Sequence, residues 1–154
     1  MTVSITITVP DNYGYVILST VVGSMFLVPT IMGGSVMTAR KECDVPYPNL
    51  YATPGFHKRA DEFNRVQRGH QNMFESLGTF AIANLIGGLR HPITCTACSV
   101  LYSAGCYLYL LGYKDMGKDV KMARYAKGGA IKFIGYFGSI FATISVAAGM
   151  LGWW

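Results

Sequence analysis

The chain has 154 residues, and we expect one domain that covers residues 1–154. Apolar residues make up 51% of the chain and charged residues only 14%, whereas about 25% of an average soluble domain is charged. A soluble domain of this length has too little interior to bury so much apolar surface, so lipid is the expected solvent. The formal charge of +5 is not gathered into a basic run, which argues against a nucleic-acid partner.

Four segments have the character of membrane-spanning helices. The first, 13–38, is apolar and uncharged, and at about 1.5 Å per residue it exceeds the roughly 30 Å hydrocarbon core. The second, 61–88, begins with charged residues and becomes apolar after Glu75, and the third and fourth cover about 93–113 and 128–152. These segments predict an all-α integral membrane protein, in which four transmembrane helices pack as an up-down bundle.

The basic residues indicate how the helices cross the membrane. Lysine and arginine gather at the first and third connections, six at each, and only Arg90 lies near the second connection. Cytosolic segments are enriched in these residues, so both long loops are predicted to be cytosolic and both termini to lie on the non-cytosolic face. The two groups are Arg40, Lys41, Lys58, Arg59, Arg65 and Arg68, and Lys114, Lys118, Lys121, Arg124, Lys127 and Lys132.

Cys95 and Cys98 have the C-x-x-C spacing of redox and metal sites. The sequence contains neither a second such pair nor a histidine pair that would complete a zinc site. Both cysteines lie at the start of an apolar segment. We therefore interpret them as small residues near a helix start and expect no metal.

The polar side chains of the second segment share one helical face. At about 100° per residue, Arg65, Arg68, Asn72 and Glu75 fall within about 80° of one another. Charges in hydrocarbon are costly, so such groups face the bundle interior and find partners. Two interpretations remain open. The residues form a structural ion pair that sets helix packing, or a binding site where arginine holds a carboxylate and glutamate an amine.

A matching face on the third segment carries Tyr102, Cys106, Tyr109 and Tyr113 at helical spacing. Aromatic residues in membrane helices are usually packing or interface residues, which is our interpretation of Tyr102. Tyr109 and Tyr113 approach the basic third loop, where a phenol can hydrogen-bond the polar groups of a ligand. The two faces together favour a small, multiply charged ligand at the cytosolic end of a cleft between helices.

The motif Arg68-x-x-x-Asn72-x-x-Glu75, within FNRVQRGHQNMFES, resembles the signature of the membrane-associated proteins in eicosanoid and glutathione metabolism, the MAPEG family. VQRGHQN is most similar to the third microsomal glutathione transferase type. Further segments agree in order along nearly the whole chain: VPYPNLYA (45–52), GGLRHP (87–92), Tyr109-x-x-Gly112-Tyr113 and LGW (151–153).

The resemblance implies a homotrimer in the endoplasmic reticulum membrane, with a mitochondrial or plastid membrane as the alternative. It implies that glutathione, the co-substrate, binds between subunits near the cytosolic face. Membrane lipid would deliver the second substrate, either a lipophilic electrophile that is conjugated, as in leukotriene C4 formation, or a lipid hydroperoxide that is reduced. The matched glutathione contacts are Arg68, Asn72, Glu75, Tyr109 and Tyr113, and Arg40 or Lys41 would hold a carboxylate.

Glutathione sulfur is nucleophilic only as the thiolate, and the resemblance implies a cation beside it, usually an arginine early in the fourth helix. The segment RYAKGGA offers Arg124 and Lys127 for this catalytic role. Cys106 stands where an arginine is common, and Ser76 stands where some members carry tyrosine. These departures leave an alternative function, in which the chain is an accessory subunit of a larger membrane complex with weak or no catalysis.

Overall fold

The computed structural model describes residues 8–153, which fold as helices joined by loops and turns. A short helical turn, Val120–Ala123, interrupts the loop before the last helix. Residues 1–7 and 154 of the expected domain lie outside the described part. The four long helices are α1 at Tyr13–Glu42, α2 at Ala60–Gly88, α3 at Pro92–Tyr113 and α4 at Ile131–Met150.

Glycine accounts for the bounds of α4, which is shorter than the 128–152 segment expected from the sequence. Gly128 and Gly152 have φ values of +85° and +70°, in the left-handed region where a right-handed helix cannot continue. At the other end of the chain, α1 runs past residue 38 and ends at Glu42. Two basic residues in its last turn, Arg40 and Lys41, interact favourably with the carbonyl end of a helix.

Three of the helices, α1, α3 and α4, are long and apolar enough to cross a membrane. The part of the chain that the structure describes is therefore all-helical, as expected, and three of its helices can span a membrane. The fourth expected span, α2, has sufficient length at 29 residues. Its polar and charged residues, from Asp61 to Glu75, lower its hydropathy, so its composition alone does not place it with the other three.

Helix α1 is irregular in its first half. Leu18–Leu27 is π-helical, and α-helical geometry resumes at Val28. Pro29 is the next residue after Val28. Proline lacks an N–H group and its ring crowds the carbonyl four residues earlier, which accounts for the disturbance in the turns just before it.

The end of the bundle near the two long loops is held by a core between α1, α2 and α3. Met32 of α1, Phe63 and Met73 of α2, and Leu110 of α3 are almost fully buried there. Helix α4 packs closely on α3 because Gly105 has no side chain. A methyl group at Gly105 would lie only 2.2 Å from the backbone nitrogen of Lys132. This close approach brings the first turn of α4 against α3 and α2.

Candidate functional site

Three polar side chains of α2 form what we call the α2 polar cluster, namely Arg68, Asn72 and Glu75. They follow one another at helical spacings that share a face. The Arg68 guanidinium forms an ion pair with the Glu75 carboxylate through Nη1, and Nη2 lies 3.3 Å from Oε2. Asn72 Nδ2 donates to the same Oε2 at 3.1 Å. The Arg68 and Glu75 side chains are 43% and 46% exposed, so both remain accessible to a ligand.

A lysine at the start of α4 completes this cluster. Lys132 is only 5% exposed, and its ammonium group donates to Asn72 Oδ1. The same nitrogen lies 4.1 Å from the centroid of the Tyr109 ring. A buried ammonium group needs polar partners, and here an amide oxygen and an aromatic face provide them. Asn72 therefore links the cation of α4 to the carboxylate of α2.

Lys132 is one of the basic residues that flank the third loop, and its place in the site was not predicted from the sequence. A signal for it was present, because Lys132 is the only charged residue between Ile131 and Met150. An ionisable residue within an otherwise apolar membrane helix is a functional-site candidate.

A cavity of about 250 Å³ opens beside Lys132. Its polar wall includes Ser76 Oγ and Tyr102 OH, which lie 2.9 Å apart. The Tyr102 ring also stacks on Phe80, with 3.9 Å between centroids, so Tyr102 both packs in the core and presents its hydroxyl group at the cavity. The lining residues are Asn72, Glu75, Ser76, Tyr102, Lys132, Phe133, Tyr136 and Phe137.

A second cavity, of about 360 Å³, is bordered by Arg68. Because Glu75 lines the first cavity, the Arg68–Glu75 ion pair lies between the two. The remaining lining residues are Tyr51, Asp61, Asn64, Arg65, Tyr113 and Val120.

Arg65 is not part of the α2 polar cluster, although the helical spacing placed it on the same face. Its Nε donates to Asp61 at 3.1 Å, and its Nη1 donates to the carbonyl groups of Asp115 and Lys118, each at 3.1 Å. Arg65 therefore braces the third loop against α2.

Tyr109 and Tyr113, the two tyrosines expected in the site, are both buried and meet edge to face at 5.3 Å. Tyr109 lies beneath Lys132, and Tyr113 borders the second cavity. The nearby Tyr113 hydroxyl raises the pKa of Arg124 above its ordinary value, and the buried Arg124 Nε has no hydrogen-bond partner among the described residues. The Lys127 side chain is exposed, with no hydrogen bond or ion pair to residues 8–153.

Arg40 and Lys41 lie apart from the α2 polar cluster within the described subunit. Arg40 Nη1 donates to the carbonyl groups of Val45 and Asn49, at 3.1 Å and 2.8 Å, and its guanidinium lies over the Phe63 ring. It thereby shapes the first loop. The Lys41 side chain is exposed at the end of α1.

The combined site offers a guanidinium group, a carboxylate and a buried ammonium group beside a cavity with aromatic walls. A guanidinium group can bind a carboxylate through two hydrogen bonds, and a carboxylate can accept from an amine. A buried ammonium group stabilises a small anion beside it. The arrangement therefore suits a zwitterionic ligand that also carries a group able to ionise.

Comparison with protein families agrees with this chemistry. The model of the MAPEG family matches residues 18–152, which include all of α2, α3 and α4 and most of α1. Members of this family use glutathione, a zwitterionic tripeptide with an ionisable thiol. The match confirms, at the level of the family, the resemblance carried by Arg68, Asn72 and Glu75, and the chain belongs to the MAPEG family.

Proposed function

We propose that the protein is a membrane-bound glutathione transferase or peroxidase of the third microsomal type. The observation that carries this proposal is the buried Lys132 ammonium group, which borders the cavity and is hydrogen-bonded to Asn72 of the α2 polar cluster. The use of glutathione by members of the family supports it.

Each polar group of glutathione has a complementary side chain. Arg68 binds a carboxylate, Glu75 accepts from the amine, and Asn72 hydrogen-bonds a peptide group. Tyr113, which lines the second cavity, and Tyr109, which lies beneath Lys132, complete the contacts. Because glutathione would lie between subunits, Arg40 or Lys41 would hold the carboxylate of a molecule bound mainly by the neighbouring subunit.

Lys132 takes the catalytic role that the sequence suggested for Arg124 or Lys127. A cation beside the sulfur favours the thiolate, which is the nucleophile. Lys132 is buried and lines the cavity, whereas Lys127 is exposed and neither Lys127 nor Arg124 lines it. The thiolate then attacks a lipophilic electrophile or a lipid hydroperoxide.

The apolar substrate enters from the membrane along α4. Phe133, Phe137 and Phe141 recur every four residues on one exposed face of α4, and they line a groove of about 420 Å³. Phe133 and Phe137 also line the cavity beside Lys132. A substrate dissolved in the bilayer can therefore reach the sulfur without crossing water.

Helix α2 is the fourth transmembrane span in this proposal, and the assembly is a homotrimer. Half-exposed charges such as Arg68 and Glu75 are costly in hydrocarbon unless other protein surfaces cover them. Packing against neighbouring subunits would cover them while leaving room for glutathione. The positive-inside rule favours an orientation with both long loops in the cytosol and both termini on the other face. The endoplasmic reticulum membrane is the location that the family resemblance implies.

The test is glutathione binding to the detergent-purified protein by calorimetry, together with a thiolate difference spectrum. We expect the wild type to bind glutathione and to show a thiolate band. Lys132→Met should keep binding but lose the band, and its transferase kcat/KM should fall about 100-fold because a preorganised cation is removed. Lys127→Met is the matched control and should retain the band.

Loss of the thiolate band in Lys127→Met but not in Lys132→Met would assign the catalytic role to Lys127. Binding by the wild type without a thiolate band would mean a retained site without thiol chemistry. If the folded wild type does not bind glutathione, the proposed function is wrong and the accessory-subunit alternative gains support.

A further inference from the structure

We propose that the Ser76–Tyr102 hydroxyl pair donates the proton to the leaving oxygen when this site reduces a lipid hydroperoxide. The inference rests on the proposed function, because it needs a glutathione thiolate in the same cavity. It assigns two residues to one of the two reactions that the proposed function includes.

The hydrogen bonds of the pair leave one hydroxyl proton without a strong acceptor. Ser76 Oγ and Tyr102 OH lie 2.9 Å apart, and they also lie 3.3 Å and 3.2 Å from the carbonyl oxygen of Met73. Good O–H···O hydrogen bonds measure about 2.5–3.0 Å, so both contacts with Met73 are weak. When Tyr102 donates to Ser76, the Ser76 proton has only this weak acceptor and can turn into the cavity.

Tyr102 is held firmly enough to act as the inner member of the pair. Its side chain is fully buried, and its ring lies nearly parallel to the Phe80 ring, at an interplanar angle of 8°. Ser76 is only partly buried and stands between Tyr102 and the open cavity. Ser76 is therefore the donor that contacts the substrate, and Tyr102 restores its proton.

The position of the pair relative to Lys132 suits a peroxide. Lys132 lies on α4, whereas Ser76 and Tyr102 reach the same cavity from α2 and α3. Attack on a halogenated aromatic ring releases a halide, which needs no proton. Cleavage of a hydroperoxide releases an alkoxide, a strong base that leaves far more easily when it is protonated as it forms.

The reaction balances with a second glutathione as the co-reactant. The thiolate sulfur attacks the terminal oxygen, the oxygen–oxygen bond breaks, and its electron pair leaves on the carbon-bound oxygen. That oxygen takes the Ser76 proton, which Tyr102 replaces, and the products are an alcohol and glutathione sulfenic acid. A second thiol converts the sulfenic acid to glutathione disulfide and water. The proton released when the first thiol ionised returns from the cavity to Ser76, which in turn gives its own proton back to Tyr102.

The experiment compares two activities in the full-length protein, namely reduction of a fatty-acid hydroperoxide and conjugation of 1-chloro-2,4-dinitrobenzene. In Ser76→Ala we expect kcat for hydroperoxide reduction to fall about 100-fold, the usual effect of a lost general acid, and conjugation to stay within about two-fold. Tyr102→Phe should lower the same kcat about tenfold. Ser76→Thr keeps a hydroxyl group and should recover most of the peroxidase activity.

The matched control is Ser103→Ala. Ser103 forms a hydroxyl pair of the same kind with Ser24, at 2.8 Å, on the α1 side of α3. This variant should change neither activity. A series of hydroperoxides whose alcohols have rising pKa values adds a second measurement. In Ser76→Ala the rate should fall more steeply along the series than in the wild type, because the leaving oxygen is no longer protonated.

An equal loss of both activities in Ser76→Ala, or an unchanged slope along the series, would make the pair a packing feature and overturn the inference. A wild type that conjugates but does not reduce hydroperoxides would also overturn it, while leaving the proposed function standing. A wild type with neither activity and no thiolate band would overturn both.

Discussion

Two polar clusters lie among the apolar helices, and they are built in opposite ways. The neutral cluster consists of Thr20, Asn84 and Ser99, all fully buried. Asn84 Nδ2 lies 2.8 Å from Thr20 Oγ1, 2.9 Å from Ser99 Oγ and 3.0 Å from the Cys95 carbonyl oxygen. The α2 polar cluster is charged, half-exposed and open to two cavities.

The difference separates polar groups that hold the helices together from polar groups that are available to bind a ligand. The three neighbours of Asn84 Nδ2 are uncharged acceptors within a closed contact, although Asn84 Oδ1 has no partner among the described residues. This contact ties α1, α2 and α3 together without a ligand. An ion pair that stays accessible contributes little to stability, and at membrane depth it is costly unless something binds to it. The neutral cluster should therefore control folding, and the α2 polar cluster should control binding.

The largest effect on stability is expected from Asn84→Ala. It removes the shared hydrogen-bond donor and leaves a small cavity, which together should lower the free energy of unfolding by about 3 kcal/mol. Denaturant-induced unfolding in detergent measures this. Thr38→Ala, on the exposed side of α1, is the control and should change it by less than about 0.5 kcal/mol. If Asn84→Ala changed the glutathione Kd by more than about two-fold, the neutral cluster would also control binding, contrary to this expectation.

The opposite pattern is expected from Arg68→Ala. Loss of a charge-assisted hydrogen bond should raise the glutathione Kd by about 10-fold to 100-fold, whereas the free energy of unfolding should change by less than about 1 kcal/mol. Calorimetry and unfolding of the same preparation measure both. Arg59→Ala removes an equivalent ion pair, with Glu62 at the start of α2, and should leave Kd unchanged. Equal effects of the two variants on Kd would place the binding site elsewhere.

The smallest effect is expected from a change in salt concentration, which should act on the charged α2 polar cluster and not on the neutral cluster. The screening length falls from about 10 Å to about 3 Å between 0.1 M and 1 M salt, so the glutathione Kd should rise several-fold. The destabilisation caused by Asn84→Ala should be the same at both concentrations, since its contacts are uncharged. A salt-independent Kd would argue against binding through charged groups.

Local periodicity explains what could be predicted at the site. Arg68, Asn72 and Glu75 lie on one helix, and their spacing alone puts them on one face, so the sequence was enough to group them. Arg65 has the same spacing but a different partner, because the third loop folds back and offers it two carbonyl groups. The path of a loop depends on contacts that no helical pattern contains.

The sequence by itself determined three things about this protein. The length of its apolar runs indicated lipid as the solvent, the spacing of its residues indicated helices, and the order of its motifs indicated the family. All three are local properties of the chain. Only the tertiary structure decided which cation meets the α2 polar cluster. Lys132 is 60 residues from Asn72 in the sequence, and it arrives there because Gly105 lets α4 approach α3 more closely than any side chain would permit. The Ser76–Tyr102 pair has the same origin, since its two hydroxyl groups come from different helices and meet only when those helices pack.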